Sequence, residues 1–337
     1  MSAEENNSRD KSRWRFGYPV SSAWFIFGFW PVIVAVVVCS FFLPFVGCVN
    51  SKRPDFVVVY TSQDQVYAEP ILNEFNRQTG IKVRAVYDSE AVKTVGLANR
   101  LLAERDHPQC DVFWSNEELR TRQLAAQNVF RETNAWKAVG YRSRRLVVNT
   151  NLLTAASAPR TFSELTNTTW RGKAALAYPL FGTTATHFLA LRQHWGDARW
   201  QDWCRALQGN KPFLVDGNSV VVNLVGKGEA WVGMTDSDDI AAGQREGLPV
   251  AALNMTEESL LIPNTVAVIK NAPHPREAQQ LFEYLQQRDV MEKLVRERAL
   301  EGFAAGEVRA ATLKPDWDAL LRDLGSATAT LKQIFLR

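Results

Sequence analysis

From Ala23 to Gly47 the chain runs AWFIFGFWPVIVAVVVCSFFLPFVG without one charged residue. That is enough for the helix of about 20 residues that crosses a bilayer. The polar segment 1–23 carries Arg9, Lys11, Arg13 and Arg15 on the approach. Basic residues on that side predict a cytoplasmic N-terminus and export of everything that follows. Residues 24–47 read either as an uncleaved transmembrane anchor or as a long lipoprotein signal. Phe45-Val46-Gly47-Cys48 has the form of a lipobox, with Phe45 where leucine is usual, which makes Cys48 a lipidation position. Residues 48–55 form a short polar linker.

Beyond the linker, short β-branched runs alternate with stretches of helical period. FVVVY (56–60), KVRAVY (82–87) and DVFW (111–114) predict buried strands. Ile71, Leu72 and Phe75 mark one face of a helix that stops at Gly80, with Pro70 in its first turns. Val95, Ala98, Leu101 and Leu102 mark another. A central block repeats the theme. It holds strand AALAY (174–178), a helix from about Thr184 to His194, and a helix carrying Trp200, Trp203, Cys204 and Leu207. Then come strand PFLV, a helix over 219–225, and strands AWVGM and VAAL. Helices dominate from Pro275 onward.

Two extended segments, 144–153 and 260–269, flank that block. The pattern predicts an α/β fold of two lobes, each a mostly parallel sheet flanked by helices. The first lobe is expected from 56–148 and 264–337, the second from 149–263, with two crossing strands as the hinge. Small molecules bind in the cleft of such an arrangement.

Composition narrows the function. Of 337 residues, 46% are apolar and 22% charged, which describes a folded chain. Thirty-nine basic against 36 acidic residues give no general field for nucleic acid. The four cysteines form no C-x-x-C pair, so zinc and dithiol chemistry find no support, and Cys110 and Cys204 read as buried thiols. There is no G-x-S-x-G, phosphate loop or dinucleotide fingerprint. His107 and His274 stand beside prolines in turns, and His187 lies one turn into its helix, near the expected cleft. A binding protein is therefore favoured over an enzyme, with a phosphoester-processing enzyme as the runner-up class and no cofactor expected.

Four segments, VVVYTSQDQVYAEPILNEFNRQTGIKV, CDVFWSNE, GEAWVGMTDSDD and LLIPNTVAVIKNAPHPREAQQLFEYL, stand in order over roughly residues 55–310. Together they resemble the iron(III)-type extracellular solute-binding proteins of ABC importers. The resemblance implies a monomeric, membrane-tethered receptor of the second structural class of periplasmic binding proteins. Such a receptor closes on a small ligand at the periplasmic face of the cytoplasmic membrane, or at the cell surface in a Gram-positive organism. It delivers the ligand to a permease and its ATPase. In the family, cargo is held by a His or acid after the first strand, a Glu after the third and two adjacent Tyr in the second lobe. Those positions fall here on Asp64, on Asn116 with Glu117 beside it, and on Asp238 and Asp239. The phenolates are absent.

The residues themselves suggest two kinds of contact. Asp236, Asp238 and Asp239 crowd three carboxylates into four positions, which requires something positive nearby. Helix capping accounts for one or two of them. Together with Asp64 they also suit a hard cation, and Asp64, Asp238 and Asp239 are the candidate metal ligands. Gly182, Thr183 and Thr184 open a helix whose free N–H groups can seat an anion, with Asn218 and Ser219 beside them. Ser62, ending the first strand with Thr61 and Gln63, faces the same place from the other lobe. Two cargoes fit: a metal ion with bound carbonate or phosphate, which is placed first, or a phosphonate or phosphorylated small molecule.

Overall fold

The computed structural model describes residues 55–88, 95–132 and 136–336. The predicted anchor, Cys48 and most of the linker lie outside the described residues. Among the described residues, no helix is long and apolar enough to cross a membrane.

The first half is built on β1 (Phe56–Thr61), flanked in parallel by β2 (Lys82–Tyr87) and β3 (Val112–Ser115). Its FVVVY run has no polar alternation because both sheet faces are covered. Val57 and Val59 pack under α1 (Gln65–Thr79) and α8 (Pro275–Leu285), while Tyr60 packs toward α2 (Val95–Ala103) and α3 (Glu118–Ala126). Ile71, Leu72 and Phe75 of α1 are buried as their spacing predicted, and α1 ends at Gly80 with φ +76°. Pro70 is accommodated in the second turn of that helix.

The second half repeats the layering. β5 (Ala174–Ala177) lies in parallel between β6 (Phe213–Val215) and β7 (Val232–Asp236). It is covered by α4 (Gly182–Trp195) and α5 (Asp197–Gly209) on one face, and by α6 (Asn218–Gly226) and α7 (Ser237–Arg245) on the other. β8 (Val250–Ala252) adds to β4 (Lys137–Asn149), and β4 pairs antiparallel with β9 (Leu261–Val268). These two long strands join the halves into one continuous order, β2-β1-β3-β9-β4-β7-β5-β6. They are the two crossing strands that the sequence predicted.

The register of β4 against β9 shifts between Ala138 and Tyr141. Gly140 sits in that irregularity with φ +96°, and a Cβ there would lie 2.5 Å from Leu300 Cδ1 and 2.9 Å from the Gly302 carbonyl oxygen. No other residue fits without moving backbone.

One boundary differs from expectation. The C-terminal residues, expected with the first lobe, divide between the halves. α8 and α9 (Arg288–Arg296) stay with the first half. α10 (Trp317–Phe335) places Leu320, Leu324, Ala327, Leu331 and Phe335 in the same core as Phe188, Trp200 and Trp203. Those five residues form a stripe at helical spacing, and the face that α4 and α5 leave is where it is buried. The chain therefore crosses between the halves a third time. The crossing segment is tied to the hinge strand by bonds from the Tyr141 N–H to the Gly302 oxygen and from the Glu301 N–H to the Tyr141 oxygen, 3.0 and 2.7 Å.

Candidate ligand-binding site

Side chains two apart on a strand share a face, so Arg142 and Arg144 point the same way from β4. The antiparallel register sets Arg144 directly opposite Asp236 at the end of β7. Arg144 Nη1 donates to Asp236 Oδ1 at 2.8 Å, and Arg142 Nη2 stands 3.1 Å from Oδ2. The other Arg142 terminal nitrogen, Nη1, donates to Asp238. Thr183 Oγ1 and Asn218 Nδ2 also donate to Asp236, at 2.7 and 3.1 Å. Arg142, Arg144, Asp236 and Asp238 are all buried. The positive groups that a run of three acids requires are thus two arginines of the hinge strand, which the sequence reading did not single out. Their alternation in YRSRR was the available signal.

Burial works against charge on both Asp236 and Arg142. It alone would raise Asp236, but Arg142 and Arg144 outweigh it and hold this carboxyl below the ordinary range. Burial would likewise lower Arg142. Asp236 and Asp238, with Asp64 and Asp239 behind them, reverse that and keep the guanidinium charged.

Beside this network lies a cavity of about 30 Å3. Gly182, Thr183 and Thr184 from the start of α4 line it, as does Asn218 from the start of α6. Asp236 and Asp239 border it from the start of α7, Arg142 from the hinge, and Asn116 from the first half. No side chain caps α4, α6 or α7. The Thr183 hydroxyl is turned to Asp236, and Thr184 Oγ1 donates to Asn218 Oδ1 at 3.4 Å. The first N–H groups of α4 therefore face the cavity wall without a side-chain cap. Asp236, Asp238 and Asp239 bring one carboxylate oxygen each within 4.8 Å of the others, an arrangement able to hold a metal ion.

Several predicted residues lie elsewhere. Glu117 is committed to its own helix: its carboxylate caps α3 through the Leu119 and Arg120 N–H groups at 2.8 and 3.1 Å, and accepts from Thr186 Oγ1 across the halves at 3.3 Å. Desolvation raises its pKa. Ser62 exchanges hydrogen bonds with Asn116 at 3.0 Å, which fixes that side chain, and Ser62 is not on the cavity wall. Asp64 occupies the N-cap position of α1 without a side-chain cap bond and acts electrostatically on Arg142. Ser219 sits in the first turn of α6, and neither it nor Asp238 is on the cavity wall. Asp216, Tyr178 and Phe181 are on that wall and were missed. Cys110 and Cys204 are buried free thiols.

The halves meet over this site. Tyr67 of α1 donates to the Asp238 carbonyl oxygen at 3.2 Å and receives a hydrogen bond from Arg245 of α7. Burial pushes Tyr67 up to about 12, so it remains a donor at neutral pH. Arg245 Nη1 also reaches the Glu297 carbonyl oxygen at 2.9 Å.

His187 is buried behind α4, with Nε2 2.8 Å from the Glu258 carbonyl oxygen. It is not on the cavity wall. Burial first, and Arg144 second, lower its pKa to about 3. A depressed histidine contributes stability that is present above its unfolded pKa near 6.5 and lost as pH falls toward 3. Denaturant melts at pH 6.5, 5 and 4 are expected to show this loss at up to about 1.4 kcal/mol per pH unit. H187Q, which keeps a donor for Glu258, should fall more slowly, so that the gap between the two proteins narrows with acid. Parallel curves would disprove the assignment.

Two α/β halves on crossing strands, with a polar cavity bordered by uncapped helix starts, define a binding protein for a small solute. The sequence profile of the bacterial extracellular solute-binding proteins matches residues 57–297, and the chain belongs to that family. It is a solute-binding protein and not an enzyme. The major ferric iron-binding protein of Neisseria meningitidis serogroup A is 24% identical over 269 residues, covering 72% of this chain and 79% of that protein. Among solved structures, iron-bound HitA from Pseudomonas aeruginosa superposes with a TM-score of 0.72 at 19% identity, over 84% of this chain and 100% of that one. AfuA from Actinobacillus pleuropneumoniae, with fructose-6-phosphate bound, gives 0.72 at 18% identity, over 84% and 99%. At such identities the structural matches establish the fold alone.

Proposed function

We propose that this protein is the receptor of an ABC importer and captures a ferric ion, together with a small oxyanion such as carbonate or phosphate, between its halves. It then docks on a permease whose ATPase partner drives release. It works as a monomer in the periplasm, held at the outer face of the cytoplasmic membrane by the 24–47 segment, or by a lipid on Cys48.

The observation that carries this reading is the charge around the cavity. Asp236, Asp238 and Asp239 bring one carboxylate oxygen each within 4.8 Å of the others, and with Asp64 they act electrostatically on Arg142. A hard, highly charged cation is drawn to such a cluster of oxygen ligands. The ferric iron-binding relative agrees with it. Asn116 and Asp239 line the cavity from opposite halves, so a ligand between them rewards closure and shifts the open–closed equilibrium.

A second reading, a phosphorylated or phosphonate small molecule, is favoured by one observation. The N–H groups at the start of α4 border the cavity without a side-chain cap, which suits an anionic group. Full-length protein purified in detergent decides between them by elemental analysis and calorimetry. Iron at about one per chain, taken up from ferric nitrilotriacetate, is expected. Phosphorus without iron, with thermal stabilisation by fructose 6-phosphate and none by iron, would replace it with the second reading.

A further inference from the structure

We propose that Tyr67 and Arg245 form a clasp that holds the halves closed from outside the cargo cavity, and that this clasp sets how long cargo is kept. This rests on the receptor reading above and adds to it two residues that tune affinity without touching the ligand.

The clasp joins α7 of the second half to α1 and α9 of the first. Tyr67, in the first turn of α1, donates to the Asp238 carbonyl oxygen at 3.2 Å. Arg245, the last residue of α7, donates through Nη2 to the Tyr67 oxygen. Its Nη1 donates to the carbonyl oxygen of Glu297, just past α9, at 2.9 Å. The guanidinium also lies 5.2 Å from the centre of the Tyr67 ring. Next to it in the chain of contacts, Arg298 Nη1 reaches Gln244 Oε1 at 3.3 Å.

Three features make this a fastening that opens, and not core. Its bonds are polar, and Gln244, Arg245, Glu297 and Arg298 are exposed. Such bonds are exchanged for water when the halves part, so each favours the closed form only modestly. The acceptor at Glu297 is a carbonyl at a helix end, where partial negative charge collects and suits a guanidinium. Finally, Tyr67, Arg245 and Glu297 do not border the cavity, so the clasp forms whether or not cargo is present.

The link from clasp to cargo is α7 itself. This helix of nine residues carries Arg245 at its last position and Asp239, a residue of the cavity wall, in its first turn. Tyr67 holds the carbonyl of Asp238, the residue just before Asp239. Fastening α7 therefore sets Asp239 against the first half. The apparent affinity of a receptor scales with the fraction of molecules in the competent form, and the clasp raises that fraction.

The test uses full-length protein in detergent, first without cargo. Hydrogen–deuterium exchange is followed over 62–70 and 235–246, with β5 as the internal control. R245M is expected to speed exchange in both segments at least about threefold, the effect of losing hydrogen bonds that water replaces, and to leave β5 unchanged. Y67F keeps the ring and loses both of its bonds, so it should act in the same direction. R245K should restore part of the protection, because it keeps the charge without the planar fork. Ferric nitrilotriacetate and fructose 6-phosphate are then the probes, and R245M should release whichever one the wild type binds at least about threefold faster, an effect on dissociation more than on association. If Y67F is unfolded by circular dichroism, R245M, altered at an exposed position, decides alone. Exchange within twofold of wild type over both segments overturns the clasp. Faster exchange in β5 as well also overturns it, since that marks a general loss of stability. Raised exchange with unchanged release of the probe overturns its role in keeping cargo. A wild type that binds neither probe removes the cargo reading, and the exchange measured without cargo then decides the clasp by itself.

Discussion

Replacing Asp236 with alanine is expected to destabilise the protein by about 3–5 kcal/mol, the largest effect of any single substitution at the site. The carboxylate is fully buried and accepts from Arg144, Thr183 and Asn218, with Arg142 beside it. Its removal leaves two arginines in a dry interior with half their counter-charge gone, and that uncompensated charge, not the lost pair energy, sets the cost. Thermal melts should drop by roughly 10 °C. The pH dependence has a definite sign. Because the folded Asp236 pKa lies below its ordinary value of 3.8, its contribution is present above that pH and disappears as pH falls through the folded value. D236A should therefore lose its disadvantage only in strong acid. A variant within 1 kcal/mol of wild type at pH 7 would mean that the two arginines find other partners.

The second large effect is a separation between neighbours. Asp238 and Asp239 are adjacent in sequence and both begin α7, so the sequence treats them as one unit. The structure does not. Asp238 is the partner of Arg142 Nη1, away from the cavity wall, whereas Asp239 is on that wall. D239A should weaken cargo at least about 100-fold by calorimetry, because this side chain lines the cavity. D238A should lower the melting temperature of the cargo-free protein, because it removes one of the two buried counter-ions of Arg142. Unchanged cargo affinity in D239A would refute this division.

How far the site was legible depends on which interactions are local. The start of α4 could be read from Gly182-Thr183-Thr184 because a helix start announces itself within a few residues, and the structure puts all three on the cavity. Asn116 and Asp239 were reached by carrying over the ligand positions of the family that the chain resembles, and both lie on the cavity wall. Glu117 was misjudged because a buried acid before a helix looks the same whether it caps that helix or faces a cleft. Arg142 was missed because nothing within nine residues of it is acidic. Its partners lie 94 and 96 positions away, and only the antiparallel register of β4 with β7 brings them together.

By itself the sequence determined the succession of buried strands and amphipathic helices, the two-strand hinge and the polar loops that close over the ligand. Each follows from periodicity and chain-local chemistry. Tertiary structure alone decided that α10 crosses to the second half, that two hinge-strand arginines pair with Asp236 and Asp238, and which side chains border the cavity. Burial and ion pairing are set by neighbours distant in the chain, and the free energy of a charge depends on what surrounds it rather than on where it stands in the sequence.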